Sequence, residues 1–399
     1  MGYDNSNVHI VGLTGSFGSG CTYIAENILS SQYSNHSLSR VVKEWFEQKH
    51  GRKHNCRGEL QDFGDEIRAS KGPDAFAQAV ISRIGESGKD KCVVDSIRNP
   101  AEVQAFRNCS PNFYLIGVYA DKETRWNRVS GKDGYNGDRN AFDVDDRKDT
   151  GKESPLHGQR VSDCFYEADI VLSNDNGFSA IGNADFKEFA GKVLAFIDII
   201  QAPLTNRQVT RPDEAIMAMA YAASQRSSCV QRKVGAIITD GKGNIISSGF
   251  NEVPPGEKPC SDEYTKCFRE VARENLFASL GNIIPGFTKY ESEVEKQFKA
   301  LQFRSLDLCR ALHAEENAIV NLARHGRSAS AEECTLYTTT YPCRMCANRI
   351  VQLGIKRVVY LEPYPDDEAK AILQGDNVRA EFFEGIAFRA YFRVYGDKK

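Results

Sequence analysis

The chain has 399 residues, 41% of them hydrophobic and 26% charged, with a net charge of −3. That length exceeds one comfortable hydrophobic core, so two domains are expected. No apolar run approaches the ~20 residues a membrane helix needs, and the acidic balance argues against a protein built mainly to grip nucleic acid.

The opening "MGYDNSNVHIVGLTG" lacks the basic start and apolar core of a signal peptide. The expectation is therefore a cytoplasmic chain without membrane attachment. Its 12 cysteines would be reduced there and available for metal or thiol chemistry.

The first half alternates strand-like and helix-like segments. "VHIVGLTG" (8–15), "KCVVDS" (91–96), "NFYLIGVYA" (112–120) and "ADIVLSN" (168–174) are short apolar runs with helical stretches between them. That alternation predicts an α/β domain around a mainly parallel sheet. Between the first run and its helix lies "GSFGSGCT" (15–22), which fits G-x4-G-K-[ST] except that Cys21 replaces the lysine. Gly15, Gly18 and Gly20 would let backbone N–H groups wrap a phosphate, and Thr22 would meet Mg²⁺. The alternative is a purely structural glycine turn. Residues 131–158 are polar, glycine-rich and aperiodic, and read as a loop, lid or disordered excursion.

"QAPLTNRQVTRP" (201–212) reads as the connector, giving domains at 1–203 and 204–399. Thr210, with Asp213 three residues later, is expected to open a helix carrying Ile216, Met219, Ala220 and Ala223. "VGAIITD" and "IISSGFN" are predicted strands joined by the turn "GKGN". A long polar segment (252–309) then precedes the helix "HAEENAIVNLA". "TLYTT", a helix after Pro342, and "RVVYLE" form a strand–helix–strand unit.

His313, Cys343 and Cys346 are the metal candidates. Pro342 suits the first turn of a helix that presents both cysteines on one face. Two sulfurs and an imidazole suit zinc, and three protein ligands leave a fourth tetrahedral position for water. Glu315, two residues after the histidine, completes H-x-E … P-C-x-x-C, the pattern of zinc nucleobase deaminases, in which the unligated glutamate moves protons. The alternatives are a closed knuckle with Cys334 or Cys309 as fourth ligand, and a redox pair.

The stretches "SSCVQRKVGAIITDGKGNIISSGFNEVPPG", "LHAEENAIVN" and "TLYTTTYPCRMCANRIVQLGIKRVVYLEPYPDDEA" follow in order. Together they resemble the deoxycytidylate deaminase family over most of 210–385. The resemblance implies a cytidine-deaminase-like α/β/α sandwich, one catalytic Zn²⁺ and deoxycytidine nucleotides, dCMP or dCTP, as substrates. It also implies that Asn251 bonds the sugar and that Arg232, Lys233 and Tyr364 lie near the nucleotide. For Asn251 the alternative is a turn residue closing its strand, and for the basic pair a solvated surface. A second, structural zinc near Cys260 and Cys267 is suggested by the same family, with buried thiols as the alternative.

The front half resembles P-loop nucleoside-monophosphate kinases, with "VVDSIRNPAEVQAFR" supplying Asp95 as the metal-side carboxylate of a bound nucleotide with Mg²⁺. The missing lysine makes nucleotide sensing a better expectation than phosphoryl transfer. A kinase-like domain ahead of such a deaminase resembles bacterial anti-phage dCTP deaminases, which implies dCTP depletion under control of the first domain or an inhibitory RNA. A homo-oligomer is expected by analogy. A polynucleotide cytidine or adenosine deaminase, and a catalytically silent nucleotide- or RNA-binding switch, are the competing readings.

Overall fold

A computed structural model describes residues 7–131, 135–150, 157–175, 184–202, 210–294, 309–324, 330–363 and 367–395. The chain divides into two compact units, Met1–Thr210 with Phe383–Lys399, and Arg211–Phe382. Sequence analysis puts the divide at 203/204 and assigns the whole C-terminus to the second unit. The structure corrects this, because the segment 383–395 returns to the first.

In the first unit, strands β1 (His9–Thr14), β2 (Ser34–Ser37), β3 (Lys91–Ile97), β4 (Phe113–Tyr119) and β5 (Ile170–Ser173) are all parallel. Four of them are the apolar runs of the sequence. Polar β2, "SNHS", carries no such signal and sits at the sheet edge. With β11 (Gly385–Ile386) from the C-terminal segment, the strand order is β11-β5-β4-β1-β3-β2, so β1 has later strands on both sides. The loop leaving its C-terminal end therefore lies where the strand order reverses, the place at which open α/β sheets take ligands. Val11, Leu13, Val93, Ile116, Val118, Ile170 and Leu172 pack with Ile24, Val193, Phe196 and Ile197 in one core. Ile386 and Ala390 join that core from the C-terminal segment.

The polar stretch expected to be a loop contains a helix. Arg139–Thr150 forms a helix whose Phe142 is fully buried beside Phe17, Val129 and Tyr135. Its carboxylates Asp145, Asp146 and Asp149 are buried too. An aperiodic hydrophobic pattern concealed a helix whose inner face is acidic rather than apolar.

The second unit is a five-stranded mixed sheet. It comprises β6 (Gly235–Thr239), β7 (Ile245–Phe250), β8 (Thr335–Thr340), β9 (Arg357–Glu362) and β10 (Arg379–Phe382), in the order β10-β9-β8-β6-β7. β6 runs antiparallel to β7 and β8, while β8, β9 and β10 are parallel. The last strand, β11 (Gly385–Ile386), belongs to the first unit, antiparallel to β5. The helix Pro212–Ser224 starts at Arg211, whose N–H donates to Glu214 at 3.1 Å, so Thr210 and Asp213 are not its capping pair. Met219, expected in the core, is 49% exposed, and Met217 is buried instead. Among the described residues no helix is long and apolar enough to cross a membrane.

Candidate active site

The site grows from two helix starts in the second unit. After β8 the chain turns through Tyr341, whose N–H donates to the Glu362 carbonyl on β9 at 2.9 Å and whose ring meets Tyr360 edge-on. Helix Arg344–Leu353 follows, with Cys343 as its N-cap and Cys346 inside its first turn. The Cys343 carbonyl accepts the first helical hydrogen bond, from Ala347 N–H at 2.8 Å. Pro342 thus stands before the cap and not in the first turn, where sequence reasoning put it. The site lies beyond the carboxyl ends of parallel strands, as expected for an open sheet.

His313 stands at the start of helix Ala314–Arg324, its carbonyl accepting from Asn317 N–H at 2.9 Å. Three contacts seat that helix. Leu312 and Glu252 exchange backbone hydrogen bonds at 3.0 and 3.2 Å, fixing the residue before His313. Asn317 Nδ2 donates to the Phe250 carbonyl at 2.8 Å. Gly249 lets the helix lie directly on β7, since a Cβ there would be 2.2 Å from the Ala314 carbonyl oxygen.

His313 Nδ1 lies 3.3 Å from Cys343 Sγ and 3.4 Å from Cys346 Sγ. The three donor atoms lie within 4.8 Å of one another, and no fourth His, Cys, Asp or Glu joins them among the described residues. The closed-knuckle alternative therefore lacks its fourth ligand. Cys334 donates to the Ser330 carbonyl at 3.4 Å instead. A soft S₂N set of this compactness fits zinc with one coordination position left to a non-protein ligand. Hydrogen bonding from Cys346, and then from His313, pulls the Cys343 thiol down to about 4, while Cys346 is pushed up by the same shared proton. The cluster thus already holds a thiolate, the form a metal needs.

Glu315 is 3% exposed, and burial raises its carboxyl to about 7 against the lowering effect of His313. A carboxyl poised there can both take and give a proton at neutral pH. Glu316, missed by sequence reasoning, pairs with Arg349 at 2.9 Å and so ties the two metal-bearing helices together. An acidic residue following the H-x-E element is the only signal that pointed to it.

Residues 210–362 match the family model of the cytidine and deoxycytidylate deaminase zinc-binding region. Over 153 residues the chain is 36% identical to the deoxycytidylate deaminase of Enterobacteria phage T4, covering 37% of this chain and 77% of that protein. The chain belongs to the cytidine and deoxycytidylate deaminase family. It is accordingly a hydrolase-type enzyme, and His313, Cys343 and Cys346 lie within the zinc-binding region of that family. A human deoxycytidylate deaminase is 29% identical over 180 residues, 45% of this chain and 78% of that one. The deoxycytidylate deaminase of Schizosaccharomyces pombe is 26% identical over 349 residues, 85% of this chain and 92% of that protein. This last span is longer than the second unit, so the likeness continues into the first.

The other expected site residues of this family member divide. Asn251 is buried and holds its neighbours: Oδ1 accepts from Val234 N–H at 2.7 Å and Nδ2 donates to the Arg232 carbonyl at 2.8 Å. Arg232 forms an ion pair with Glu362, and Lys233 is exposed. Tyr364 lies outside the described residues. Among the described residues, Cys260 and Cys267 belong to no metal-ligand group. Arg269 instead interacts with Cys267, Cys309 and Cys229.

In the first unit, the Gly15–Thr22 loop joins β1 to a helical turn beginning at Cys21. Gly18 and Gly20 have φ of 84° and 109°, which side chains disfavour. Thr22 Oγ1 donates to Asp95 Oδ2 at 2.7 Å, while the buried Asp95 Oδ1 accepts no hydrogen bond. Cys21, in the lysine position, is pushed up to about 12 by burial and supplies no charge.

Proposed function

We propose that the chain hydrolyses the amino group of deoxycytidine nucleotides, dCMP or dCTP, giving deoxyuridine nucleotides and ammonia. One observation carries the reading: His313, Cys343 and Cys346 converge beside buried Glu315, in a member of this deaminase family. A relative matched over 85% of the chain and one matched over 37% of it both bear the name deoxycytidylate deaminase.

His313, Cys343 and Cys346 would hold the zinc. When bound, that ion lowers the pKa of water from ~16 to ~7 and so makes a nucleophile available for C4 of cytosine at neutral pH. Glu315 would take one proton from the attacking water and pass it to ring N3, then take the second from the oxygen newly bonded to C4 and give it to the departing amine. Asn251 fixes the backbone of 232–234 against β7 and presents its remaining amide capacity to the sugar. Arg232 would meet phosphate by exchanging its Glu362 partner for phosphate oxygens, with Lys233 and Tyr364 alongside.

The first unit is read as a phosphate-binding P-loop of the kinase type, holding a nucleotide with Mg²⁺ through Thr22 and Asp95. Its strand order, the Thr22–Asp95 bond and the unpartnered Asp95 Oδ1 support that reading. The neutral Cys21 argues for control of the deaminase over phosphoryl transfer. Depletion of dCTP as an anti-phage response, with regulatory RNA and assembly into a homo-oligomer, belongs to the same proposal.

Mass spectrometry of reactions with dCMP, dCTP and single-stranded oligonucleotides tests the reading. Free nucleotides are expected to yield uracil products, and Glu315→Ala is expected to lose them while retaining zinc. Turnover confined to oligonucleotides would assign the chain to polynucleotide deaminases, and nucleotide binding without turnover would make it a silent switch. Metal analysis separates one zinc per chain from two, the second being the structural ion suggested near Cys260 and Cys267.

A further inference from the structure

The loop after β1 is surrounded by charge that its sequence does not announce. Its carbonyls are tied outward: Gly18 O accepts from Arg128 at 3.1 Å and Ser19 O from Asn174 Nδ2 at 2.6 Å. On its inner side lies an anion supplied by the protein. Asp149, fully buried at the end of helix Arg139–Thr150, accepts from the Phe17 N–H through Oδ2 at 3.0 Å. Its Oδ1 meets Arg57 at 3.2 Å and forms an ion pair with Arg98. Arg57 is itself stacked 4.1 Å over the Phe17 ring.

Burial alone would raise the Asp149 carboxyl, but Arg98 and Arg57 hold it below the usual carboxylate range, so it is charged at neutral pH. Arg98 also lies within electrostatic reach of Cys21, the residue in the lysine position. A loop N–H and two guanidiniums form the donor set of a phosphate site, with the Asp149 carboxylate accepting in the place of phosphate.

Resting on the phosphate-loop reading, we propose that Asp149 is a resident anion that occupies the donors of a polyphosphate site. A ligand's phosphate must displace it from Phe17 N–H, Arg57 and Arg98. The ligand class is a polyphosphate, free or carried by a nucleotide. Arg98 takes the place of the absent lysine as the cation that receives it. Binding then releases the C-terminal end of helix Arg139–Thr150, which is held to the loop by this carboxylate. Where the open form is a minor population of ~1–10%, apparent affinity falls by the same fraction.

The test is calorimetric titration of the full chain with inorganic tripolyphosphate. Asp149→Asn is expected to tighten binding by roughly 10- to 100-fold. Asp62→Asn removes the same charge from an exposed pair with Lys148 on that helix, and is expected to leave affinity unchanged. Arg98→Gln is expected to weaken binding. Equal or weaker binding by Asp149→Asn than by the unaltered chain overturns the proposal while leaving the phosphate loop standing. Absence of binding in both proteins overturns the loop reading as well.

Hydrogen exchange on the unaltered chain gives an independent readout should the variant fold poorly. Saturating tripolyphosphate is expected to speed exchange in residues 139–150 and slow it around Phe17. Unchanged exchange in that helix refutes displacement.

Discussion

The two units treat buried charge in opposite ways. In the second, the cluster of His313, Cys343 and Cys346 is assembled from two helix starts, and its nearby carboxylate, Glu315, has no cationic partner of comparable strength to its burial. In the first, the loop's Phe17 N–H is already engaged by Asp149, whose charge Arg57 and Arg98 balance. A site built for proton movement leaves a carboxyl near neutrality. One built around an ion pair keeps its carboxylate charged and must exchange partners to bind anything else.

The largest expected effect breaks the second unit's half of the contrast. Glu315→Gln should lower kcat for dCMP by about 10²- to 10⁴-fold, measured by ammonia release, with zinc content unchanged. Cys346→Ser should reduce zinc per chain and, with it, activity. Removing zinc with a chelator should abolish turnover, and adding zinc back should restore it.

Gly249→Ala probes the seat of the His313 helix. The added methyl would meet the backbone of Ala314 and Ala318 at 2.2 and 2.4 Å. A destabilisation of about 1–3 kcal/mol in the transition of the second unit is expected by urea denaturation. The transition of the first unit should not move.

The first unit has its own pH signature. His9 on β1 lies among Tyr33, Tyr114 and Lys91; burial first and Lys91 second lower it from 6.5 to about 4. Because the folded state binds this proton less readily than the unfolded one, the stabilisation is complete above 6.5. It is lost as pH falls from 6.5 towards 4. Denaturation midpoints should follow that window, and His9→Gln should flatten it. The smallest effect belongs to Arg349→Ala. It removes a partly exposed pair with Glu316 and should cost no more than about 1 kcal/mol.

Legibility followed the kind of force involved. Four of the first unit's strands and the β6–β7 hairpin were readable because apolar runs and the "GKGN" turn are local signals. The helix Arg139–Thr150 was not, because Phe142 is nearly its sole large apolar anchor and its buried face is acidic, matched by arginines distant in sequence. Strand β2 is polar, and β11 has two residues, too short for any periodicity. Asn251 is expected from the sequence to bond the sugar, whereas its backbone partners at 232 and 234 come from the fold.

By itself, the sequence determined which groups are present: one imidazole, a thiol pair at helical spacing, a carboxyl two residues from the histidine, and a glycine loop whose lysine is a cysteine. Those are matters of chemical type and short-range spacing. Tertiary structure alone decided which charges meet. It brought His313 across 30 residues to Cys343 and Asp149 across 132 residues to Phe17, and it placed Gly385–Ile386 in the first sheet. Electrostatic pairing and burial depend on distance in space, and the order of residues along a chain does not contain it.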